Sequence, residues 1–169
     1  MIQVNLELRD DVLNRVRTAF DEVPYPGGNK IFAHERTEDY IGQHWKQLSL
    51  EFIVSHRSDL PLFNAESFHF YLPAFLIHAL LHPNEVDTLI SNLVYNLAPP
   101  EFINGSDQAA FTHKMQQFDI RISTFDSQQK ETITIFLQSF KRLYPNESWS
   151  ILESEEKRLD HAIEIWSTL

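Results

Sequence analysis

The chain contains no cysteine. That excludes disulfides, thiolate zinc sites, iron–sulfur clusters and a cysteine nucleophile, and it fits a reducing compartment. Glycine is scarce as well, with four in 169 residues, and no Gly-x-Ser-x-Gly elbow or phosphate-binding loop can be assembled from them. Gly27-Gly28 has no strand-to-helix frame around it, so no cofactor is expected. The N-terminus, MIQVNLELRDD, lacks a basic segment followed by an apolar run and does not read as a signal peptide. The longest apolar run, Phe70 to Leu81, is broken by Pro73 and His78 and is too short to span a bilayer. A soluble, cytoplasmic protein is the expectation.

Cations are the minority charge: 14 Lys and Arg stand against 24 Asp and Glu, for a formal net charge of −10. Nucleic-acid binding needs a basic footprint that releases counterions from phosphate. Here the basic residues are dispersed, with Lys141-Arg142 and Lys157-Arg158 only as pairs. No nucleic acid and no anionic membrane is expected as a partner. An acidic balance of this kind more often serves solubility, and a basic protein is the partner it would favour.

What the chain has in quantity is apolar and aromatic residues, 43% and 12%, including 13 phenylalanines. That suffices for a core without staples in one domain spanning 1–169. Most of the pattern is helical. Asp10 and Asp11 read as helix-start signals, with Leu13, Val16, Phe20 and Val23 on one face and a stop at VPYPGG. Short helices suit Glu38 to Trp45, with Tyr40, Ile41 and Trp45 inward, and Leu48 to Ser55. Asn64 can cap a long central helix. Glu85 to Leu97 follows, and residues 101–111 read as a loop. Asp126 with Gln129 resembles a capping box ahead of the stripe Ile133, Phe136, Leu137 and Phe140. A last helix, from about Leu152 to Trp166, turns Leu152, Leu159, Ile163 and Trp166 inward.

Two segments alternate with period two: Ile2 to Leu8, and Phe118, Ile120 and Ile122 among polar neighbours. Paired, they would form a small two-stranded ribbon; the first reads equally as a loose arm. The expected fold is thus mainly α: one helical domain around a central proline-kinked helix, with that ribbon as an addition.

The central segment, SFHFYLPAFLIHALLHP (Ser67 to Pro83), is apolar on nearly every side, as a helix surrounded by others must be. Glu66, His69 and Pro73 form its one different stripe. A mid-helix proline frees the carbonyl four residues earlier and costs ~3 kcal/mol. Water offsets that best, so Pro73 is expected at a wet or ligand-facing edge. His78 and His82 share a face, but no glutamate follows the first and no third ligand is placed, so no metal site is expected. Charge–dipole contact at a helix C-terminus accounts for the pair more simply. The carboxylate pairs Asp10-Asp11 and Glu38-Asp39 suit helix starts better than acid–base catalysis.

AFDEVPYPGGNKI (19–31), WKQLSLEFI (45–53), SFHFYLPAFLIHALLHP (67–83), LAPP (97–100) and RISTFDSQQKETITIFLQSF (121–140) come in an order that resembles a bacterial family of domains of unknown function. The resemblance covers about residues 19–143. It leaves out the first residues and the acidic last helix, about 152–167. It implies a bacterial protein and supplies no activity, cofactor or catalytic residue.

The sequence thus leans away from an enzyme and toward a non-enzymatic protein-interaction module, with an immunity or antitoxin-type inhibitor as the specific version. Glu155, Glu156, Asp160 and Glu164 are its candidate partner face. The alternative is a small-molecule-binding protein or enzyme. Its site would lie between the VPYPGG turn and the central helix, lined by Tyr25, Trp45, His69 and Tyr71.

Overall fold

The computed structural model describes residues 5–28, 35–86, 88–102, 105, 107–144 and 153–169, without the side chains of 35–37, 153 and 154. Among them lie seven α-helices and no β-strand: α1 (Leu6–Ala19), α2 (Leu50–Ser55), α3 (Ala65–Leu81), α4 (Leu89–Leu97), α5 (Gln108–Ser123), α6 (Ser127–Leu143) and α7 (Glu153–Trp166). Short 3-10 turns occupy Glu35–Tyr40, Trp45–Gln47 and Leu60–Leu62.

Local chemistry sets most helix starts. The side chains of Asn5, Ser49, Asn64 and Asp107 each accept a backbone N–H of the first turn of α1, α2, α3 and α5. Asp126 does so for α6, and Gln129 reciprocates on the Asp126 N–H, which completes the expected capping box. Helix α1 starts at Leu6, ahead of Asp10 and Asp11. Asp10 instead contacts Arg9, and Asp11 pairs with Arg15 one turn on. Helix α4 starts at Leu89, four residues later than its periodicity implies.

The expected ribbon does not form. Residues 2–4 lie outside the described residues, while Leu6 to Leu8 belong to α1. Phe118, Ile120 and Ile122 fall within α5, where Phe118 and Ile122 are buried one turn apart and Ile120 is half exposed on the opposite side. A short alternation satisfies both periods, and the helix prevails because Asp107 caps it.

Helix α3 is the centre. Phe68, Phe70, Tyr71, Leu72, Phe75, Leu76 and Leu80 are all buried, and α1, α2, α4 and α5 pack around it. Helix α6 lies on α1, and α7 packs on α4 and α6. Leu159 and Trp166 of α7 are buried and Ile163 is partly buried against the core; Leu152 lies outside the described residues.

Two burial expectations fail. Pro73 is buried inside an uninterrupted helix. On the same stripe Phe20, just past the end of α1, lies edge-on to half-buried His69 at 6.0 Å, while Glu66 is exposed. A buried apolar ring returns burial energy that a wet edge would not. Ile41 is more than half exposed, because the chain turns at Gly42, whose φ of +75° takes it out of the helical path.

Phe75 has no exposed surface. Phe75→Ala is expected to lower the unfolding free energy by about 3–5 kcal/mol, from lost burial plus cavity. Urea unfolding reads this directly. A loss under about 1 kcal/mol would remove α3 from the centre of the core.

Candidate functional site

The four residues of the expected aromatic site do not face one cavity. The Tyr25 hydroxyl accepts the Gly42 N–H at 2.8 Å, and its ring lies edge-on to Phe70 at 5.5 Å. Tyr71 is fully buried and donates to the carbonyls of Tyr40 and Gln43. Together they clamp the VPYPGG turn onto the 40–43 segment.

His69 turns to another junction. Its Nε2–H donates to Gln129 Oε1 at 2.7 Å, and Gln129 Nε2 donates to Ala19 O at 3.0 Å. The Ala19 carbonyl belongs to the end of α1, so this bond caps a group the helix leaves open. Gln129 therefore joins α1, α3 and α6 while completing its own capping box. Burial pushes the His69 imidazolium down in pKa, against a smaller raising effect of the bond to Gln129.

Trp45 lines a cavity of about 360 Å³ between α1, α3 and the Trp45–Gln47 turn, with Leu48, Ile77 and His78. His78 Nε2–H donates to Leu48 O at 2.9 Å, so the neutral ring leaves Nδ1 as an acceptor. That atom and Trp45 Nε1 are buried without a hydrogen-bond partner among the described residues. Lys46 and Asp21 at this cavity neutralise one another. His78 and His82 stack at 5.8 Å, and the described residues hold no group of three or more His, Asp or Glu placed to ligate a metal.

The expected acidic face is mixed. Asp160 and Glu164 are exposed, while Glu155 and Glu156 are partly covered. Lys141 of α6 bonds Asp160 at 2.5 Å and approaches Glu156 to 3.5 Å. Exposed pairs of this kind contribute under about 1 kcal/mol. They nonetheless return a positive charge to the surface that was to be negative.

A larger cavity, about 600 Å³, lies elsewhere among the described residues and carries the opposite charge. It is bounded by the Leu60–Leu62 turn, the end of α4 with Ala98 to Glu101, one face of α5, and Arg158 of α7. On α5 the lining residues Lys114, Gln117, Phe118 and Arg121 are spaced i, i+3, i+4, i+7, a single helical stripe. That spacing is the sequence signal for the site. It was hidden because Phe118 to Ile122 also fits a strand.

Arg121 organises the cavity. Its Nη2 donates to Pro61 O at 3.0 Å and Phe63 O at 2.9 Å, Nη1 reaches Asn96 Oδ1 at 3.4 Å, and the guanidinium lies 4.7 Å from the centre of the Phe68 ring. Three donors are thus used. The Nε–H and one Nη1–H take no acceptor among the described residues, and no carboxylate there lies within ion-pair distance. Burial lowers the guanidinium pKa, with no opposing charge to raise it. Carbonyl dipoles satisfy N–H groups without neutralising the charge, and a half-buried unpaired cation is costly. Arg158 lies over the Tyr95 ring at 5.3 Å, and Lys114 is exposed. Glu101 is the one carboxylate among the described lining residues, against three Lys and Arg.

The chain matches, over residues 8–167, the model described as "Family of unknown function (DUF6714)", and it belongs to that family. The matched residues take in most of α1 and all of α7. No curated protein and no solved structure matches the chain. No described helix is long and apolar enough to cross a membrane.

Acid should weaken the fold through its histidines. Burial, the leading cause in each case, lowers the pKa of His44, His69 and His78 below 6.5. The unfolded chain therefore binds more protons below about pH 6.5, so the stability these groups contribute is complete above that value and lost as pH falls. Thermal unfolding is expected at a lower Tm at pH 5.0 than at pH 7.5, with a smaller drop in His69→Gln. A Tm that is flat or rises on acidification, in the protein and the variant alike, would contradict this.

Proposed function

We propose that this member of the family is a binding protein, and that its ligand presents an anionic group to the cavity around Arg121, Lys114 and Arg158. The observation that carries the reading is the Arg121 guanidinium: half-buried, held in place by Pro61, Phe63 and Asn96, and without a carboxylate partner among the described residues. In a chain of net charge −10, a cavity with three cations to one acid runs against the surface trend. Its volume falls in the usual range for ligand pockets, roughly 300–1,000 Å³. Binding is favoured over turnover because no hydrogen-bonded nucleophile–base pair is found among the described lining residues. The reading keeps the protein a binding module and moves its contact from the acidic residues of α7 to the cationic cavity.

Titration with sodium phosphate, followed by calorimetry and by thermal unfolding against sodium chloride at matched ionic strength, tests it. Saturable heat and a rise in Tm are expected, because a ligand that binds only the folded state stabilises it. Lys114→Glu with Arg158→Glu should abolish both. General salting-out by phosphate would persist in that double variant, so equal stabilisation of the two proteins would overturn the reading.

A further inference from the structure

Resting on the anion-binding reading, the geometry points to a more definite ligand: we infer that the cavity takes a small molecule with a dianionic headgroup carried on a flat apolar body. Charge sets the head. Arg121, Lys114 and Arg158 together outweigh the single lining carboxylate, Glu101, by two charges. A monoanion would leave one cation unmatched in a partly desolvated site, whereas a dianion balances it. Arg121 and Lys114 lie seven residues apart on α5, roughly 10 Å along the helix. Both side chains are long enough to converge on one headgroup from that separation.

The body follows from the walls. Tyr95 is more than half exposed for so large an aromatic and presents its ring to the cavity, already faced by Arg158 on one side. Pro99 and Pro100 add rigid apolar surface, Leu62 is partly exposed at the edge, and Phe118 is buried beneath. A bare oxyanion would use none of these surfaces. A flat ring attached to the head would cover Tyr95 and continue the Arg158 stack, where aromatic and cation–π contacts add to affinity.

Three probes separate head from body: phenyl phosphate, a ring with a dianionic head; benzenesulfonate, a ring with a tetrahedral monoanionic head; and inorganic phosphate, the head alone. Calorimetry at pH 8 on the whole chain should show phenyl phosphate binding about tenfold or more tightly than either of the others, about 1.4 kcal/mol by the standard conversion. Tyr95→Ala should narrow the ratio of phenyl phosphate to inorganic phosphate. Lys114→Gln should narrow the ratio of phenyl phosphate to benzenesulfonate. Both side chains are exposed, so the variants are expected to fold, and circular dichroism verifies it. Phosphate as tight as phenyl phosphate would overturn the flat body, and benzenesulfonate as tight as phenyl phosphate would overturn the dianionic head; both results leave the anion site standing. Binding of none of the three would remove the anion site along with this inference.

Discussion

A helix that is apolar all round can persist in water only if other helices enclose it, and α3 imposes that condition on the whole chain. Its residues from Ser67 to Leu76 are buried apart from half-buried His69. Buried apolar side chains contribute about 1.5–3 kcal/mol each, so a neighbour on every side is favoured over any exposed arrangement. Helices α1, α2, α4 and α5 supply those neighbours. Pro73 fits the same logic: its ring is one more buried apolar surface, and the helix continues through it.

Enclosure creates a second requirement, because helix ends brought into the core carry carbonyls with no helical partner. Three of them are met in the same manner, by a side chain from late in the chain. Gln129 donates to Ala19 O at the end of α1, Tyr144 to Leu80 O at the end of α3, and Trp166 to Leu97 O at the end of α4. Polar tips of otherwise apolar or well-packed residues thus finish the helices they cover. Arg121 does the analogous task for the carbonyls of Pro61 and Phe63, but a guanidinium brings a full charge with its donors. That surplus of charge is what sets the cavity apart from the rest of the interior.

The parts of this arrangement that were legible in the sequence are those whose partners are near in sequence. Asp126 and Gln129 are three apart, and their capping box could be read directly; so could the Asn64 cap and the stripe from Ile133 to Phe140. The mainly helical fold and the central place of the SFHFYLPAFLIHALLHP segment follow from such local patterns. His69 and Gln129 are 60 residues apart, and nothing local announces that the capping glutamine also holds a histidine of another helix. The aromatic residues near VPYPGG were legible as neighbours, but their sequence could not say whether they line a space or fill it. The cationic cavity was not legible for a related reason. Lys114, Arg121 and Arg158 look dispersed along the chain, and the fold of α5 and α7 gathers them.

The three carbonyl ties also set an order on biosynthesis. When the chain has emerged from the ribosome as far as Leu97, the segments of α1, α3 and α4 are outside, yet the donors for their last turns, at positions 129, 144 and 166, have still to emerge. Until then those ends must remain hydrated, and the face of α1 that α6 will cover stays open. The first half of the polypeptide therefore cannot finish these helix ends, or close the core around them, until the second half arrives. During that interval the greasy surface of α3 is shielded only by its early neighbours, the period in which a chaperone at the ribosome exit would have most to hold.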